Sequence, residues 1–192
     1  MKIVSSIVSI GGWNPKIFSP GWVAMNVFQI PQGASMQCSF DESNMTLLFS
    51  WNDVHFSITE KGIELRTEAF KRANLKYMDA VYKHLVAMLQ YTPISAFGYN
   101  INVTLSKEEF LSLPVSRNLQ IQNVNGYAPS SVVLSASEGN VLKSFDIRIK
   151  GAEYEIRSNF HFAHGKQMDS DGVVFDDIVK EFKSILGYEL SL

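Results

Sequence analysis

The sequence predicts an α+β fold in which antiparallel strand meanders are each followed by a long helix. Three observations carry that expectation. Two segments, 74–90 and 174–186, place apolar residues at helical spacing. Several short runs with alternating or β-branched apolar residues flank glycine-bearing turns. The order of these elements is similar in the two halves of the chain.

The first ten residues are rich in isoleucine and valine and are broken by Ser5, Ser6 and Ser9. They end at Gly11-Gly12-Trp13 with no small-residue cleavage site, so they predict a strand buried on both faces rather than a leader. From Gly11 to Trp22 the chain gathers Trp13, Phe18 and Trp22 with two prolines and three glycines. Rigid aromatics on such a loop are either binding anchors or the plug of a sheet end.

Residues 54–59 and 63–67 flank Glu60-Lys61-Gly62, where the glycine is expected to turn left-handed. Leu75, Met78, Tyr82, Leu85 and Leu89 then form the stripe of the first long helix, with Asn74 as its expected N-cap and Pro93 beyond its end. In 95–105 the odd positions Phe97, Tyr99, Ile101, Val103 and Leu105 are apolar, against Gly98, Asn100, Asn102 and Thr104. That is the pattern of a half-buried strand. Ser106-Lys107-Glu108-Glu109 has capping-box spacing and opens a short helix before Pro114. Further hairpins are expected about 138–140 and 151–152, and the second long helix ends at Gly187.

The two long helices share Asp79/Asp176, Lys83/Lys180, Leu89/Leu186 and Tyr91/Tyr188 at an offset of 97 residues. With the common element order, this predicts an internal duplication about a pseudo-two-fold axis. The halves would be 1–92 and 93–192, forming one compact unit with a shared core, since no Gly/Ser/Pro-rich linker separates them.

Seventeen basic and nineteen acidic residues give a net charge of −2, which offers no general field for nucleic acid. The cluster Lys61, Arg66, Lys71, Arg72 and Lys76 is interleaved with Glu60, Glu64 and Glu68, and reads as a solvated face. One cysteine allows no disulfide within the chain, and no apolar run approaches the ~18 residues that span a bilayer. The expected location is cytoplasmic, without membrane contact.

Catalytic motifs are missing: there is no G-x-S-x-G, H-E-x-x-H, Walker loop or G-x-G-x-x-G. Cys38 with His55 could form a nucleophile pair, but Met36, Cys38 and Phe40 alternate along a strand and put Cys38 in the core. His161, His164, Asp169 and Asp171 are the densest set of potential ligands, yet a spacing of three sends strand histidines to opposite faces. No metal or cofactor is expected.

The leading expectation is therefore a non-catalytic binding or assembly protein, acting with a protein partner or as a homo-oligomer through a sheet edge or the aromatic loop of Trp13, Phe18 and Trp22. Whether the protein is an enzyme is left open. The alternative is a small-ligand protein or enzyme with a pocket near 95–105, using Tyr99, Asn100, Asn102 and His161.

Overall fold

The computed structural model describes residues 1–43, 45–118, 130–139, 141–163, 173–187 and 190. The first strand, β1 (Lys2–Gly11), is followed by a 3₁₀ turn (Pro15–Ile17) and a short helix α1 (Pro20–Asn26). Four strands then run as a meander: β2 (Gln37–Asp41), β3 (Thr46–Trp51), β4 (Val54–Ile58) and β5 (Gly62–Thr67). Helix α2 (Arg72–Met88) leads to the long strand β6 (Ile94–Ser106) and the short helices α3 (Lys107–Ser112) and α4 (Pro114–Asn118). The chain continues through β7 (Ser131–Glu138), β8 (Val141–Lys150) and β9 (Glu153–Ala163) to α5 (Val173–Leu186).

The nine strands among the described residues form one antiparallel sheet in the order β2-β3-β4-β5-β1-β6-β9-β8-β7. This overturns the expected architecture of separate meanders, each completed by a long helix. β1 and β6, expected to open separate halves, pair with each other from Lys2–Thr104 to Gly11–Ile94. The strand edges that would bound separate units are thus consumed in a central ladder. Helices are few and short beside this sheet: α2 has 17 residues, α5 has 14, and the others have seven or fewer. The sheet does not establish the expected duplication of 1–92 and 93–192. Four strands lie outside β1 and three outside β6, and Tyr188 of the matched helix pairs is outside the described residues.

The period-two pattern gives the sheet two unlike faces. On one, the cross-strand row Phe49, Phe56, Leu65, Ile7, Tyr99 and Phe160 is buried throughout. Helices pack here: Phe110 of α3 stacks on Tyr154 at 4.0 Å between ring centres, and Phe182 of α5 meets Phe145 edge-on at 5.3 Å. The core runs continuously from Ile7 to Leu190 and includes residues of every helix from α1 to α5.

End signals explain several boundaries. The Ser106 hydroxyl accepts from Glu109 N while the Glu109 carboxylate accepts from Ser106 N, so the capping box forms. Gly187 ends α5 with φ 65°, a conformation in which other residues are strained. Asn74 does not cap α2; Lys71 occupies that place without a side-chain bond, and Asn74 Nδ2 donates to the Ala69 carbonyl at 3.1 Å. Gly62 is not left-handed. A Cβ there would lie 2.5 Å from the Ser9 carbonyl oxygen, so glycine is required by the close approach of β1. The hairpin between β3 and β4 was not anticipated; its loop is Asn52-Asp53, with φ 47° and 62°, as a two-residue primed turn needs.

Candidate functional site

Even-numbered residues of β1 and β6 point to the other face of the sheet, against which no described helix packs. Through the registers, Ser6 of β1 is joined to Asn100, Asn159, Ser144 and Ser135 on β6, β9, β8 and β7. All five have hydrogen-bonding side chains and none is charged; the next member of the row, Arg66 on β5 opposite Ser6, is charged. The row crosses five strands, about 19 Å at normal strand spacing. Asn100 Nδ2 donates to Ser6 Oγ at 3.5 Å. Gly98, one position along β6, leaves room for its diagonal neighbour: a Cβ there would meet Asn159 Oδ1 at 2.8 Å.

The flanking rows differ in character. On one side lie Val8, Gly98, His161, Leu142 and Ser137, which are small, apolar or neutral apart from the imidazole. The other side is charged but internally balanced. Glu68 accepts from Lys2 at 3.0 Å and Arg66 at 2.6 Å; Glu155 accepts from Lys150 at 2.8 Å and Arg157 at 2.9 Å; Arg148 pairs with Asp146. The hydrogen bond and charge of Lys2 hold the Glu68 carboxyl below the usual carboxylate range. For Glu155 burial pulls upward, but Lys150 and Arg157 outweigh it and the net direction is down. The Asp146 carboxylate raises Arg148. These cations are already engaged, and a phosphate would have to compete with fixed carboxylates.

Across β2–β5 the same face contains a hollow of about 310 Å³, lined among others by Ser50, His55, Ser57, Glu64 and Arg66. Ser50 Oγ and His55 Nδ1 share a hydrogen bond of 2.7 Å. Arg66 stands directly opposite His55 in the register, and the serine–histidine bond ties β3 to β4.

The residues expected to form a site are dispersed. Trp13 and Phe18 are buried at 3% and 1% exposure, and Trp22 packs edge-on against Phe18 at 5.2 Å, so the aromatic loop contributes to the core. Tyr99 is buried on the helix-covered face, where its hydroxyl donates to Asp79 Oδ1 at 2.6 Å. Asn100, Asn102 and His161 share the open face. His161 stands opposite Gly98 and Leu142 with no acid beside it in the register, and neither described hollow includes it. His164, Asp169 and Asp171 lie outside the described residues. Among the described residues, no group of three potential metal ligands converges.

Cys38 is exposed, contrary to its expected burial. It does point to the same face as Phe49, its register partner, but β2 is an edge strand and the cover over Phe49 does not extend to it. His55 points to the opposite face, so the two cannot act together. The sequence reading missed Asn159, Ser144 and Ser6 as partners of Asn100. The polar alternation of 155, 157, 159 and 161 was visible, but the strand order that places it beside β6 was not.

No described helix is long and apolar enough to cross a membrane. No protein-family model matches the chain, and no curated protein matches it.

Proposed function

We propose that this is a non-catalytic binding protein that holds an uncharged segment of a partner protein on the open face of its sheet, within a larger assembly. The observation that carries this reading is the uncharged row Ser6, Asn100, Asn159, Ser144 and Ser135, which begins beside Arg66 of β5 and is set between a row of mostly small or apolar residues and rows of mutually paired charges. Serine and asparagine offer donors and acceptors without the desolvation cost of an ion. Val8 and the 46%-exposed Leu142 add apolar contact beside them. The paired charges favour such a segment over nucleic acid, whose affinity comes mainly from free cations. The exposed thiol of Cys38 suits a reducing compartment and supports a cytoplasmic setting.

The test is selection from a random-peptide display library on the immobilised full chain. Enriched peptides should be poor in charged residues. Their affinity should fall about tenfold or more in the double variant Asn100→Lys/Asn159→Lys, the loss expected from a few hydrogen bonds and a buried charge. It should be unchanged in Tyr91→Ala, a site on the chain's exposed surface. Strongly charged selected peptides, or equal binding to the double variant, would remove this face from consideration.

A further inference from the structure

Strand β7 ends the sheet, and among the described residues nothing pairs with its outer edge. Natural edges are shielded by lysine, proline, bulges or short length. β7 has eight residues, no lysine or proline, no shift in its register with β8, and one charge, Glu138, at its end. Ile149 N donates to the Ser130 carbonyl at 2.9 Å, and the register alternates from there, so even-numbered residues bond inward to β8. Ser131, Val133, Ser135 and Ser137 therefore direct their backbone N–H and C=O groups outward, where no described strand pairs with them.

Side chains on both faces of this edge are incompletely covered. Val133 is 61% exposed on the open face. On the helix-covered face Leu134 and Ala136, with Phe145 and Ile185, line a hollow of about 380 Å³ between the edge and α5.

We infer that β7 is the interface of a two-fold homodimer, pairing antiparallel with β7 of a second copy and joining the two nine-stranded sheets into one. The strand is complementary to itself. With Ser135 on the axis, Val133 meets Ser137 and Leu134 meets Ala136, a large residue against a small one on each face. These are also odd-with-odd pairings for the outward backbone groups, so the ladder closes. Each Glu138 meets Val132, which keeps the two carboxylates about 20 Å apart at strand rise. Pairing of β7 with β2 would instead be head-to-tail and would not close. β2 is also shorter, with five residues ending in Asp41. This inference gives the assembly a defined edge and is independent of peptide binding on the open face.

The experiment is light scattering on the full chain across a concentration series, with circular dichroism of each variant. The wild type is expected at twice 21.6 kDa. Ser135→Pro removes an outward N–H and spares the bonds to β8, and Val133→Lys places an ammonium in the outer row; each should halve the mass with an unchanged far-ultraviolet spectrum. Phe40→Lys, on the opposite edge, should leave the dimer intact. If Ser135→Pro fails to fold, Val133→Lys decides alone, because its side chain does not enter the core. The inference is overturned by a wild type that stays at 21.6 kDa, by a Val133→Lys variant that stays dimeric, or by dissociation in Phe40→Lys. A monomeric Val133→Lys variant that still binds selected peptides would separate this outcome from that of the open face.

Discussion

The hydroxyl of Tyr99, in the middle of the central strand pair, donates to the buried carboxylate of Asp79 on α2 at 2.6 Å, and Lys83 lies 3.2 Å from the other oxygen. Asp79 is 3% exposed, and these neighbours help offset the cost of burying its carboxylate. The contact fixes the rotation of α2 over the sheet.

Replacing Tyr99 with phenylalanine should cost about 1.5–3 kcal/mol, the usual range for a hydrogen bond to a charged group. Asp79→Ala should cost more, because it also strips the carboxylate from Lys83. In the double variant the two losses should be clearly less than additive in urea unfolding. Full additivity would show that the pair is not coupled.

Alkaline stability should be limited by buried phenols. Burial pushes Tyr82 up to about 12, against a small opposing effect of its hydrogen bond with Ser9. Burial, then the Asp79 carboxylate, raises Tyr99, and burial raises Tyr77. A raised folded-state value means the stabilisation is complete below the unfolded value near 10 and is lost as pH rises through the folded one. Phenolate absorbance should therefore appear in two stages, with the last tyrosines ionising together with loss of the near-ultraviolet dichroism. A single smooth titration at constant dichroism would contradict this.

At acid pH the sign reverses. Glu68 and Glu155 are depressed, so their contribution is present above the unfolded value of 4.5 and is lost as pH falls through the lower folded values. The thermal midpoint should hold down to about that pH and then fall, and Glu155→Gln should shrink the drop. Because Glu68 and its partners are exposed, their share of the effect should also weaken with salt.

Gly62→Ala should destabilise the protein by about 1–3 kcal/mol, because the added methyl meets backbone of β1 rather than a side chain that could move aside. The same change at Gly33, which has open space but φ 88°, should act through backbone strain alone and leave the β1–β5 amides protected in hydrogen exchange.

Individual elements were legible where one segment carries the whole signal. The alternation from Phe97 to Leu105 marks β6 because its two faces meet different surroundings, and Ser106 with Glu109 marks the start of α3 because the capping box is local. Asp79 carries a charge among the apolar positions of its helix. It lies on the same arc as Leu75 and Tyr82, and that placement was the available sign that it is buried. Cys38 and Gly62 depend on what lies across the sheet, and so does the row from Ser6 to Ser135. Such contacts join residues far apart in the chain, and no local period encodes them. The central pairing of β1 with β6 is the extreme case, and it joins the two expected halves through one ladder that no local pattern announces.

That pairing has a consequence for how the molecule is made. The most interior strand precedes the other described strands in the chain, and its partners are β5 and β6, so Lys2 cannot meet Thr104 until the hundred or so residues between them exist. The β2–β5 meander can zip early through short turns, while β1 waits for long-range closure. Folding should therefore be slow relative to a helical protein of this size. A ribosome-bound nascent chain that stops before β6 should expose a strand of Ile3, Val4, Ile7 and Val8 for a chaperone to shield.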